Sequence, residues 1–216
     1  MSAPAPFGRS PARLPPQLEA RLSSSLEAEL ARPVRPWWRD AVAFVGVTLA
    51  LFVVGCFLFQ RSVSPLALGA GVWSQSLALL AASLVAGVAG LAPWPQRTSR
   101  PLVLGALVAG TVLVTQVVSM ELAPFTPKLG CFVWELVASL VPAGVAIVAA
   151  RHYAPRLSRA MVLGWAAGTL SLAVMQLKCP HRDVGHLLLF HVLPLVLVVA
   201  ATVLVRRRVA TTSYAP

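Results

Sequence analysis

The chain has 216 residues, of which 57% are hydrophobic and 12% charged, and a formal net charge of +11. A soluble domain of this length carries about twice that charged fraction, which excludes an ordinary water-soluble enzyme or binding domain. There is no Asn and one Ile, and two Lys stand against sixteen Arg. That bias implies a GC-rich bacterial genome and, with the apolar composition, a bacterial inner-membrane protein.

Residues 1–40 form a segment apart. The first sixteen are rich in Pro, Ser and Ala and are expected to be disordered. Leu14, Leu18, Leu22, Leu26 and Leu30 then recur every four residues, with Glu19, Arg21, Glu27 and Glu29 on other faces. Pro15 and Pro16 suit a helix start and Pro33 a stop, so a short amphipathic helix is predicted over 17–31. So short a helix is marginal alone in water, and its leucine stripe needs a surface. Three acids and one Arg on the polar face do not suit anionic lipid. A groove on a partner protein is the reading adopted; the lipid interface and accidental spacing are the alternatives.

Six apolar runs follow, at 41–59, 72–92, 102–119, 132–150, 160–177 and 185–205. Each has roughly the length that crosses ~30 Å of hydrocarbon as a helix. The fold class is therefore all-α, a six-transmembrane-helix bundle over 41–205 with a tail at 206–216. The first run is long enough to span by itself, so no cleaved secretory signal is expected. Ala160, Gly164 and Gly168 repeat every four residues in the fifth run, and Ala106 and Gly110 in the third, which suits close helix packing. No internal repeat of the transporter kind is legible.

The basic residues fix the expected orientation. Fourteen of the eighteen fall in the N-terminal segment, the second and fourth connections and the tail; only Arg61, Lys128, Lys178 and Arg182 lie on the other side. Positive-inside bias puts both termini in the cytoplasm. The charge is thus topological, with the tail near anionic lipid, and direct nucleic-acid binding is not expected. Trp37, Trp38, Trp73 and Trp94 near span ends read as interface anchors.

Reactive groups gather on the non-cytoplasmic side. Cys131 opens the fourth run, and Glu135, four residues on, shares its helix face. Cys179 and His181 lie in the fifth connection, His186 near the start of the sixth run and His191 deeper in it. Thiolate and imidazole prefer soft or borderline metals such as zinc, copper(I) and cadmium, and Cys131, Cys179 and His181 are the candidate ligands, with Glu135 and His186 beside them. A disulfide between Cys131 and Cys179 in the oxidising periplasm and unconnected residues are the alternatives. Ionisable groups inside a membrane are costly and commonly functional; for Glu135 near the rim, interfacial solvation is the competing reading. Cys56 reads as a small apolar residue. No phosphate loop, nucleophile elbow or paired carboxylates occur, so no enzyme activity is expected.

Gly130-Cys131, Pro142-Ala143-Gly144, the Arg151-to-Arg159 connection, Gly164 to Gly168 and Leu177-Lys178-Cys179-Pro180-His181 resemble the NrsF-type polytopic anti-sigma factors of bacteria. The six-span layout resembles that family throughout, and the related carotenoid-regulating membrane anti-sigma factors of myxobacteria share it. The resemblance implies that the N-terminal segment holds an extracytoplasmic-function sigma factor at the membrane until a stress signal releases it. It also implies that Cys131 and Cys179 are the sensing pair. Lys178 stands where the family commonly has His, and Phe190-His191 where it often has an aromatic pair, so the signal, metal or oxidant, is left open. A small transporter or thiol redox protein is the alternative from another class; it requires polar groups along a path, and Glu135, Gln176, His186 and His191 crowd toward one rim instead.

Overall fold

Helices form wherever the apolar runs predicted them, and each outruns its hydrocarbon-length core. A computed structural model of the chain describes residues 15–30, 36–58, 68–93, 99–151 and 156–209. It divides into two units, Met1–Arg35 and Pro36–Pro216, each taken here by itself.

In the first unit, α1 spans Pro16–Leu30. Pro16 occupies the first helical position, where its missing N–H is no loss, and the Pro15 carbonyl accepts from the amides of Leu18 and Glu19. Ser23, Ser24 and Ser25 donate back to carbonyls three residues earlier, a local competition that weakens a helix. Leu18 and Leu22, the two described members of the stripe, are about half exposed, at 46% and 51%. Leu14 and the side chains of Leu26 and Leu30 lie outside the described residues, as do Arg61, Trp94, Arg97 and residues 210–216.

The second unit holds α2 (Trp37–Leu58), α3 (Ala70–Leu91), α4 (Arg100–Ser119), α5 (Leu129–Ala150), α6 (Leu157–Lys178) and α7 (Val184–Arg208). All six are long and apolar enough to cross a membrane. The unit starts at Pro36 rather than at residue 41, because α2 begins on Trp37 and carries Arg39 and Asp40 in its first turn. Helical hydrogen bonding has no reason to stop where hydrocarbon stops. Val42, Phe57, Leu107, Val118 and Leu140 are more than half exposed, and an apolar surface of this kind is stable facing lipid.

The core is organised around α6. It packs on α2, α3, α4, α5 and α7, and 89% of its span is buried against 28% to 44% for the others. Small residues permit this. A Cβ on Gly164 would stand 2.8 Å from the Val199 backbone, and Gly168 receives Leu195, as the four-residue spacing predicted. Polar ties fix the register. Ser76 and Ser83 of α3 donate to the Ala173 and Ala166 carbonyls of α6, and Ser139 of α5 bonds Ser171 at 2.7 Å. Gln176 of α6 donates to Gln75 of α3 and Ser119 of α4. Such bonds average about 0.6 kcal/mol in a membrane, so they select a register more than they stabilise it.

Helix α7 has an irregularity that no apolar pattern announces. Leu188–Val192 is wound as a π-helical turn. Pro194, in the first turn beyond it, has no N–H for the carbonyl four residues back and its ring crowds that carbonyl. A wider turn relieves the clash.

Candidate functional site

The chemistry gathers where α5 begins and α7 begins. Asp183 caps α7 by accepting the His186 amide at 2.8 Å, which fixes the first turn. The α4–α5 connection folds over that turn: the Glu121 amide donates to Arg182 O at 2.8 Å, and Phe125 stacks on Phe190 with centroids 6.1 Å apart. Gly185 makes room for this, since a Cβ there would meet the Phe125 ring at 2.6 Å. Thr126 O is thereby brought to 2.8 Å from His186 Nδ1.

Four donor atoms, from Cys131, Cys179, His186 and His191, lie within 4.8 Å of one another. The Cys131 and Cys179 sulfurs are 3.7 Å apart, too far to be bonded and near enough to share one ligand. Cys179 Sγ is 3.2 Å from His186 Nε2. Cys179, His186 and His191 are buried, and Cys131 is half-buried. The set has the composition of a soft or borderline metal site, two sulfurs and two imidazoles.

Both histidines are held through ring Nδ1, and Nε2 of His186 faces the Cys179 sulfur at 3.2 Å. A carbonyl can only accept, so His186 Nδ1 carries the proton and donates to Thr126 O. Nε2 of His186 is then a lone pair. His191 Nδ1 shares a hydrogen bond with Glu135 Oε2 at 2.6 Å. His191 Nε2 has no hydrogen-bond partner among the described residues. Outer acceptors that fix tautomer and orientation in this way are the usual support of metal-ligating histidines.

The π-turn makes the histidine pair. Residues five apart on an α-helix point about 140° away from each other, so His186 and His191 would face different neighbours. The wide turn at Leu188–Val192 brings their rings to a centroid distance of 5.2 Å.

The sequence-predicted residues fall around this centre in different roles. Cys131, Cys179 and His186 supply donor atoms. Glu135 is 0% exposed, so interfacial solvation does not account for it; it holds His191. His181 packs its ring on His186, centroids 5.2 Å apart, and its carbonyl lies 3.6 Å from Cys179 Sγ. In the four-atom set His186 and His191 take the imidazole places. His191 was legible only as an ionisable group deep in the span, and Pro194 three residues on was the available signal for the turn that aims it.

A helical bundle of six spans with its reactive groups at one end defines a polytopic membrane protein with a buried thiol–imidazole cluster. Comparison with known proteins gives the family. The model of a family described as NrsF, negative regulator of sigma F, matches residues 106–211. The carotenogenesis protein CarR of Myxococcus xanthus is 30% identical over 218 residues, covering 96% of this chain and 95% of that protein. No solved structure matches the chain. The chain belongs to the NrsF family of membrane anti-sigma factors and is thereby a sigma-factor regulator.

Proposed function

We propose that this protein holds an extracytoplasmic-function sigma factor at the bacterial inner membrane through residues 1–40 and releases it when a soft or borderline metal ion is bound at the periplasmic rim. Both termini lie in the cytoplasm on this reading, following the arginine distribution. The observation that carries it is the four-atom cluster with both imidazoles held by their Nδ1 atoms. Cys131 and His191 come from α5 and α7, and Cys179 and His186 from the intervening connection and the α7 first turn. A bound ion supplies a cross-link among these segments. The residues themselves do the selecting: thiols favour soft ions, and burial keeps competing water out.

A second reading rests on the 3.7 Å separation of the sulfurs. A hydroperoxide could close the pair to a disulfide, taking two electrons and both thiol protons and leaving an alcohol and water. Such a bond needs sulfurs about 2.05 Å apart, a movement available to the half-buried Cys131.

On the cytoplasmic side, the exposed Leu18 and Leu22 of α1 are the anchors for the sigma factor, with Leu14, Leu26 and Leu30 continuing the stripe in sequence. The test uses the full-length protein in detergent and the extracytoplasmic-function sigma factors of the same genome. The triple change of Leu18, Leu22 and Leu26 to Asp is expected to abolish co-purification, while copper(I), zinc or cadmium still binds at one equivalent. Undiminished co-purification sinks the clamp. Failure of all three metals to bind wild-type protein sinks the metal signal, and loss of free thiols with peroxide would then favour the disulfide.

A further inference from the structure

The other end of the bundle has a site of different chemistry. Helices α3 and α5 end there, with last-turn carbonyls that their own helices cannot satisfy. Arginines from neighbouring helices take them. Arg159 Nη2 donates to Ala92 O at 3.0 Å. Arg206 Nη2 donates to Ala150 O at 2.8 Å and its Nη1 to Val209 O at 3.2 Å. Arg206 is 4% exposed, so its guanidinium is fixed against the end of α5.

Beside it opens a cavity of about 150 Å³ between the first turn of α6 and the last of α7. That is far above the 10–15 Å³ one water needs. Arg156, Arg206 and Arg207 line it together with Leu157, Ala160 and Val203. Its described lining thus combines three arginines with three aliphatic residues. The N-terminus of α6 opens onto the same space. Its N-cap residue is Arg156, a side chain with no acceptor to offer the first amides, so the positive end of a 22-residue helix adds to the guanidiniums. The apolar wall continues outward: Leu157 is 50% and Leu204 61% exposed.

The geometry points to a binding site for the phosphodiester headgroup of an anionic phospholipid, seated between α6 and α7 in the leaflet that the arginine distribution assigns to the cytoplasm. Planar guanidiniums bind phosphate oxygens in pairs, and Arg206 is already oriented by its two carbonyl bonds. The aliphatic half of the wall and the exposed leucines favour an acyl-bearing phosphodiester over free phosphate. A free anion would gain nothing from Leu157, Ala160 and Val203.

The full-length protein, delipidated in a neutral detergent, is offered phosphatidylglycerol or phosphatidylcholine, and bound lipid is read by native mass spectrometry. Wild-type protein is expected to retain phosphatidylglycerol preferentially. The double variant R156Q/R207Q keeps Arg206, and hence the end of α5. It should lose roughly 30-fold in phosphatidylglycerol affinity, from two basic side chains near an anionic surface. R208Q alters an exposed arginine that does not line the cavity and should leave retention within about twofold. Circular dichroism checks that both variants remain helical; if R156Q/R207Q does not, the single variant R207Q is read instead. Equal retention of the two lipids overturns the site. So does an R208Q loss as large as that of the single variant R207Q, which would mean diffuse surface charge. Displacement of the lipid by millimolar inorganic phosphate overturns the lipid assignment in favour of a free anion.

Discussion

The two ends of this bundle face the same physical problem and solve it in opposite ways. Both must satisfy polar groups where helices stop. At the arginine end, long side chains reach across to backbone carbonyls, as Arg159 does to Ala92 and Arg206 to Ala150. Arg159 and Arg206 are themselves buried, at 7% and 4% exposed, and each guanidinium meets a carbonyl that a helix end leaves open. At the thiol end, short side chains are shut inside. Glu135 and His186 are 0% exposed and His191 2%, and each imidazole is held by a fixed acceptor. Burial of that kind is expensive for stability. The arginine end has a structural reason to exist. On the proposed function, the costs of the thiol end fall on the groups that would meet a ligand.

This contrast can be broken in graded steps. The largest effect is expected from Cys179→Ser. Structural zinc sites contribute about 10–16 kcal/mol over four ligands, so one thiolate carries roughly 3 kcal/mol, and affinity for zinc or cadmium should fall by roughly 100-fold or more. Competition titration against a chromophoric chelator reads this. An unchanged affinity would remove Cys179 from the ligand set. Glu135→Gln keeps the size of the side chain and removes its ionisable carboxyl. It should cost about 10–100-fold in metal affinity, the usual effect of losing an outer partner of a ligating histidine. The same titration checks it, and a loss equal to that of Cys179→Ser would argue that Glu135 ligates directly.

At the opposite end the effects should appear in stability alone. Arg206→Met leaves Ala150 O without its guanidinium and is expected to cost about 1–3 kcal/mol, read as a lower thermal midpoint in detergent with metal affinity unchanged. A shift in metal affinity would show that the two ends are coupled through α7. Between them, Gly164→Ala places a methyl 2.8 Å from the Val199 backbone. Separation of α6 from α7 should cost about 1–3 kcal/mol, with no more than a small loss at the thiol centre. These stability changes are smaller in consequence than the loss of a ligand.

Some of the site was open to sequence reasoning, and some was not, for reasons that belong to particular residues. Cys131, Cys179, His186 and Glu135 could be gathered because span topology alone sends them to one end. Glu135 could not be told from a solvated rim residue, because its burial depends on α7 packing against α5, where His191 meets it. His181 looked like the partner of Cys179 because Cys-x-His is short in sequence; in space its ring rests on His186. His191 joins the sulfurs through a π-turn, and the only local trace of that turn is Pro194.

Sequence by itself determined the class of structure: six helices, their order and their apolar faces. The physical reason is that a membrane leaves a chain with no water to satisfy its backbone, so any long apolar run must become a helix. Tertiary structure alone decided the centre. How each imidazole is held depends on Thr126 and Glu135, one in a connection and the other on α5. They are far from the histidines in the chain and adjacent to them only once α6 has gathered five helices around itself.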